Sequence, residues 1–136
     1  SQPLPLRPQV LFDRVLIDAP CSGLGVLRRH PELKWRRQAE DIPRFAARQS
    51  RLLHQAARLV RPGGLMLYIT CTTAAEENEA VVQEFLADQP GFVLVPAAGQ
   101  PPSPATPFLA APGYFRTTPE EHGMDGFFAA LLQREY

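Results

Sequence analysis

The sequence has no apolar run of membrane-spanning length and no leader-like succession of basic, apolar and small residues. It has only two cysteines, Cys21 and Cys71, too few for a disulfide scaffold or a cysteine zinc site. It has no internal repeat, and no net charge, since 14 Lys and Arg balance 14 Asp and Glu. These absences argue against a disulfide-rich secreted chain, a zinc module and a solenoid, and they leave a reducing cytoplasm as the expected setting. What is there, 136 residues with 45% hydrophobic content, suits one modest domain with a real core.

The charge balance hides an uneven spread. Arg28 to Arg61 holds ten Lys and Arg against three Asp and Glu, whereas Pro62 to Tyr136 holds two against nine. A basic block beside an acidic one fits a polyanion partner on one face, and equally fits a solvated arginine-rich surface.

Phe12-Asp13-Arg14-Val15-Leu16-Ile17 is an aliphatic run without helical period, and Pro20 and Gly23 follow it. It reads as a buried strand over about residues 11–17. In Asp18-Ala19-Pro20-Cys21-Ser22-Gly23 an acid, a proline and a cysteine meet where that strand stops, which is where open α/β sheets bind ligands. A long connection follows, with Arg28, Arg29, Lys34, Arg36 and Arg37, and with Trp35 as a packing anchor.

A helix is expected over 42–60, capped by Asp41 and stopped by Arg61-Pro62-Gly63-Gly64. Ile42, Phe45, Ala46, Leu52, Leu53, Ala56, Leu59 and Val60 form its apolar face, and Arg44, Arg48, Arg51 and Arg58 line the other. Leu65 to Thr70 reads as a central parallel strand with Cys71 at its carboxyl end. Thr73-Ala74-Ala75-Glu76 has capping-box spacing and opens a helix to about Asp88. Phe92 to Val95 is a short strand, and Pro96 to Pro112, with six prolines, an extended loop. Tyr114 to Thr117 is a short extended piece, His122 fits a turn or the site, Asp125 is a turn residue, and Phe127 to Leu132 is the last strand. The fold class is α/β, parallel strands plus a terminal antiparallel pair.

One helix joins the first two strands, so a right-handed crossover makes them parallel neighbours about 4.8 Å apart. Asp18, Cys21 and Cys71 then share one crevice. Either cysteine alone reads as a core residue, but two cysteines and an acid at one address read as chemistry. A thiol before a helix start gains support as a thiolate, which Glu76 and Glu77 oppose, so the net direction stays open.

Taken together, Asp18 to Gly23, Arg29-His30-Pro31-Glu32-Leu33-Lys34-Trp35, Arg61 to Gly64 and Tyr68 to Thr72 resemble the Sun family of RNA cytosine-C5 methyltransferases. His122-Gly123-Met124-Asp125-Gly126-Phe127-Phe128 resembles that family's final motif. The likeness runs from Phe12 to Arg134 and is strongest to the bacterial branch that acts on small-subunit ribosomal RNA. It implies the carboxyl-terminal half of a Rossmann-like, S-adenosylmethionine-dependent methyltransferase sheet. By the same resemblance Cys71, in Thr-Cys-Thr, attacks carbon 6 of the cytosine, and Cys21 assists the elimination that frees the enzyme. Asp18 lies at the junction of cofactor and base, and Arg28, Arg29, Lys34 and Arg36 face the RNA, which the likeness makes ribosomal; no metal is implied.

No glycine-rich loop follows the first strand, and no acid stands ready for a cofactor ribose. Residues 1–136 therefore read as a partial catalytic domain, without that loop and without an amino-terminal RNA-binding region. The expected consequences are an inactive isolated chain that binds S-adenosylmethionine weakly or not at all. An unpaired edge on the 11–17 strand would also favour self-association. Two other readings stay open. One is a non-catalytic nucleic-acid-binding module built on residues 28–61, the other a DNA cytosine methyltransferase that attacks with Cys21.

Overall fold

The computed structural model describes Arg7 and residues 10–27, 29–32 and 40–136. The expectations for Arg28, Lys34, Trp35 and Arg36 lie outside these residues. Strand β1 (Phe12–Asp18) runs parallel to β2 (Val60–Thr70), with Leu16 opposite Leu67 and Asp18 opposite Ile69. Helix α1 (Asp41–Ala57) lies between them in the chain, and α2 (Glu79–Asp88) follows β2. Then come β3 (Phe92–Leu94), β4 (Leu109–Ala110), β5 (Tyr114–Thr117), the single turn α3 (Pro119–His122) and β6 (Phe127–Arg134).

The sheet order is β1-β2-β6-β5-β4, with β3 paired to the far end of β6. Only β1 and β2 are parallel among the described strands; β6 inserts antiparallel beside β2 and makes β2 central. Strand β1 is the edge of the described sheet.

Alternation sets the two faces. Met66, Tyr68 and Thr70 of β2 and Phe128, Ala130 and Leu132 of β6 point to one side and are fully buried. Helices α1 and α2 cover that side with Leu53, Ala56, Val81, Val82 and Phe85. Each such large side chain taken from water contributes about 1.5–3 kcal/mol. The intervening residues Leu65, Leu67, Ile69, Ala129 and Leu131 are only half-buried, and Leu16 on β1 is 64% exposed.

Three local expectations are corrected. Helix α1 stops at Ala57, and Arg61 to Gly64 belong to β2 rather than to a helix stop. The β1–β2 pairing jumps from Phe12–Val60 to Arg14–Leu65, so these residues bulge, and Gly63 takes the positive φ (81°) the bulge requires. Asp41 is the first helical residue, not a cap; its buried carboxylate pairs with Arg44 one turn on. No capping box forms at Thr73, because a single 3-10 turn (Ala75–Glu77) precedes α2 and sends Glu77 inward. The proline-rich segment carries 3-10 turns at Ala97–Gly99 and Thr106–Phe108 besides β4.

Candidate active site

β1 and β2 both end at the same edge of the sheet, and the turns that follow them bring two sulfurs together. Cys21 Sγ lies 2.9 Å from Cys71 Sγ, and the Cys71 amide donates to Cys21 Sγ at 3.3 Å. Both side chains are half-buried. Asp18 stands exposed at the end of β1, near enough for its charge to oppose ionisation of Cys71. The sequence expectation that the two cysteines meet beyond neighbouring strand ends matches the geometry.

The two thiols are not equivalent. The hydrogen bond from Cys71 lowers the Cys21 pKa to about 7, helped by the Cys71 and Gly23 amides and opposed by burial. Cys71 moves up, first because its proton is held against Cys21 and then because of burial. The pair gives up its first proton readily, and Cys21 carries the charge.

Beneath the thiols lies a polar network that the sequence did not advertise. The Glu77 carboxylate is fully buried and accepts from the Ser22 amide at 2.8 Å, Ser22 Oγ at 2.7 Å and Gln49 Nε2 at 3.1 Å. Ser22 Oγ also lies 2.9 Å from Thr72 Oγ1. Since Ser22 has one hydroxyl proton, Thr72 must donate to Ser22 and Ser22 to Glu77. Gln49 additionally donates to the Pro20 carbonyl at 3.0 Å. The next residue, Asn78, accepts from Thr70 Oγ1 and donates to the Thr72 carbonyl at 2.9 Å. One signal was available: Gln49 is a polar residue on the otherwise apolar face of α1, four positions from Phe45 and Leu53.

The turn after Cys21 is also pinned to the last motif. Gly25 donates to the Cys71 carbonyl at 2.9 Å and accepts from the Gly126 amide at 2.6 Å. A Cβ on Gly25 would fall 1.9 Å from the Gly126 carbonyl oxygen, so only glycine lets these backbones meet.

Asp125 is buried, its carboxylate 2.8 Å from the exposed Arg29 guanidinium. It does more than hold a turn. The His122 ring accepts the Thr118 amide at 3.1 Å, in keeping with a turn role. Among the described residues no group of three His, Cys, Asp or Glu is placed to hold a metal.

A family model described as 16S rRNA methyltransferase RsmB/F matches residues 3–133. The chain belongs to the RsmB/F family. Ribosomal RNA small subunit methyltransferase B of Thermus thermophilus is 42% identical over 134 residues, 98% of this chain and 31% of that protein. The Pasteurella multocida protein of the same name is 40% identical over 127 residues, 92% of this chain and 26% of its own length. The chain thus spans under a third of these RsmB relatives.

Among solved structures, PH0851 superposes with a TM-score of 0.80 at 42% identity, covering 90% of this chain and 26% of that one. NSun6 from Pyrococcus horikoshii, determined with SFG, gives 0.75 at 31% identity, covering 93% and 31%. The sheet is accordingly the Rossmann-like one of S-adenosylmethionine-dependent methyltransferases, as the RsmB/F match requires.

Proposed function

We propose that this chain is the cytosine-activating part of a longer enzyme that methylates carbon 5 of cytosine in RNA, most naturally small-subunit ribosomal RNA. The observation that carries the reading is the Cys21–Cys71 sulfur contact of 2.9 Å at two neighbouring strand ends. Membership of the RsmB/F family and relatives named for small-subunit ribosomal RNA support the substrate class.

S-adenosylmethionine, of which the SFG found with the NSun6 relative is an analogue, supplies the electrophilic methyl group when bound. The described residues fit it in part. Asp18 offers an exposed carboxylate beside Cys71, suited to hydrogen bonds from a cationic cofactor. No glycine-rich loop in this sequence offers backbone amides to it.

Cys71 Sγ forms a bond to carbon 6 of the cytosine, and the displaced electron pair makes carbon 5 nucleophilic. The Cys71 proton passes to Cys21 or to solvent. After methylation, solvent takes the proton from carbon 5 and the ring electrons expel the Cys71 sulfur. Cys21 is the group placed to return a proton to that departing sulfur. Loss of Cys21 therefore spares attack and blocks release, whereas loss of Cys71 removes attack altogether.

Arg29 carries an exposed guanidinium shared with Asp125, and with Arg28, Lys34 and Arg36 it would contribute phosphate contacts. The test is Cys71→Ala in the full-length enzyme. Methyl transfer to unmodified small-subunit ribosomal RNA should vanish while RNA binding is retained; continued transfer would contradict the reading. Transfer that depends on Cys71 separates it from a module that only binds nucleic acid, for which the cysteine is irrelevant, and retained binding shows that the variant is folded.

A further inference from the structure

We infer that Glu77 and Asn78 are positioning residues that assign the two cysteines to separate catalytic steps, Glu77 holding the Cys21 turn and Asn78 the Cys71 turn. The inference rests on the adduct chemistry proposed above.

The two residues are adjacent in sequence yet grip different loops. Glu77 accepts from both the amide and the hydroxyl of Ser22, directly after Cys21, while Gln49 ties the same carboxylate to the Pro20 carbonyl, directly before it. Asn78 takes the Thr70 hydroxyl and the Thr72 carbonyl, the two neighbours of Cys71. Each cysteine is thus flanked on both sides by groups that one of these residues, directly or through Gln49, fixes.

Both residues are buried, Glu77 at 0% and Asn78 at 2% exposure, where water cannot substitute for a missing partner. The backbone adds a further anchor, for the Glu77 carbonyl accepts the buried Tyr68 hydroxyl at 2.7 Å. A full carboxylate under a turn is a costly choice for mere stability, since a neutral acceptor or an apolar core avoids desolvating it. What the carboxylate supplies is direction. Its two oxygens receive two donors from one residue and fix the turn that aims Cys21 Sγ at Cys71 Sγ. The two grips meet at the Thr72–Ser22 hydroxyl contact and at the sulfurs themselves, while the Glu77 carboxylate holds the Cys21 turn and the Asn78 amide the Cys71 turn.

The experiment is single-turnover kinetics of the full-length enzyme on in vitro-transcribed small-subunit ribosomal RNA with S-adenosylmethionine. Formation and decay of the covalent protein–RNA complex are followed on denaturing gels. Glu77→Gln should slow decay by about tenfold, the loss of one hydrogen bond to a charged acceptor, and leave formation within about twofold. Gln49→Leu, which cuts the tie to the Pro20 carbonyl and leaves the Thr72–Ser22 contact in place, should reproduce that pattern. Asn78→Ala should do the reverse, slowing formation by about tenfold with decay within about twofold.

A merely structural role would lower both rates by one factor in all three variants, and that result would overturn the inference. So would normal decay in Glu77→Gln and Gln49→Leu alike. Cys71→Ala, run alongside, separates the two levels: a complex that still forms there contradicts the adduct chemistry itself, whatever the other variants do.

Discussion

Cys21 and Cys71 divide their labour through one hydrogen bond. The contact with Cys71, whose amide also donates to Cys21 Sγ, draws the Cys21 pKa down to about 7 and pushes that of Cys71 up. In the folded protein, alkylation of Cys21 by iodoacetamide should therefore rise with pH around 7, below the ordinary thiol value of 9.0. The sign follows from the lowered pKa: the reactive thiolate is present above that pH and lost below it. Cys71→Ala removes the main lowering influence and should move the midpoint up toward 9.0. Glu77→Gln should move it down, because the Glu77 charge opposes ionisation of Cys21. Mass-resolved alkylation rates against pH check both shifts, and a midpoint indifferent to Cys71→Ala would contradict the assignment.

Among elements, the site depends on three turns meeting beyond the carboxyl ends of β1 and β2. Gly25 is the closest contact in that meeting, wedged between the Cys71 and Gly126 carbonyls. Gly25→Ala should destabilise the fold by about 1–3 kcal/mol, since backbone on both sides must move. Thermal melting checks the loss, and an unchanged melting temperature would refute the close approach. The strand ends were legible because long aliphatic runs broken by Pro20, Gly23 and Cys71 can be little else. A single crossover then brought the cysteines together without any knowledge of side chains.

The bulge at Arg61–Gly64 was not legible. Arg-Pro-Gly-Gly serves a helix stop and a bulge equally well, and only pairing with β1 decides between them. Nor was the burial of Glu77, which depends on Ser22 and Gln49, partners 55 and 28 residues away. Beside Glu76 at a helix start it read as an acid that opposes the thiolate, not as a buried anchor.

At the scale of the molecule, one face of the sheet is covered by α1 and α2, and the other carries half-buried Leu67, Ile69 and Leu131 beside a Leu16 that is 64% exposed. A groove of about 530 Å³ lined by Leu67, Ile69, Phe115, Phe127 and Leu131 runs along it. With β1 at the sheet edge, the isolated 136 residues should self-associate. Sedimentation should give a mass above the 15.1 kDa of one chain, and Leu16→Glu should lower it. A 15.1 kDa species at all concentrations would contradict this. The same isolated chain should transfer no methyl group, because it spans only 26–31% of its RsmB relatives and supplies no glycine-rich cofactor loop.

The central claim is that Cys71 attacks and Cys21 releases. It is tested most directly by Cys21→Ala in the full-length enzyme, incubated with small-subunit ribosomal RNA and S-adenosylmethionine and run on a denaturing gel. The account predicts a protein–RNA complex that survives denaturation and accumulates, because attack proceeds and release fails. A Cys21→Ala enzyme that forms no such complex, with Cys71→Ala forming one, would reverse the two roles.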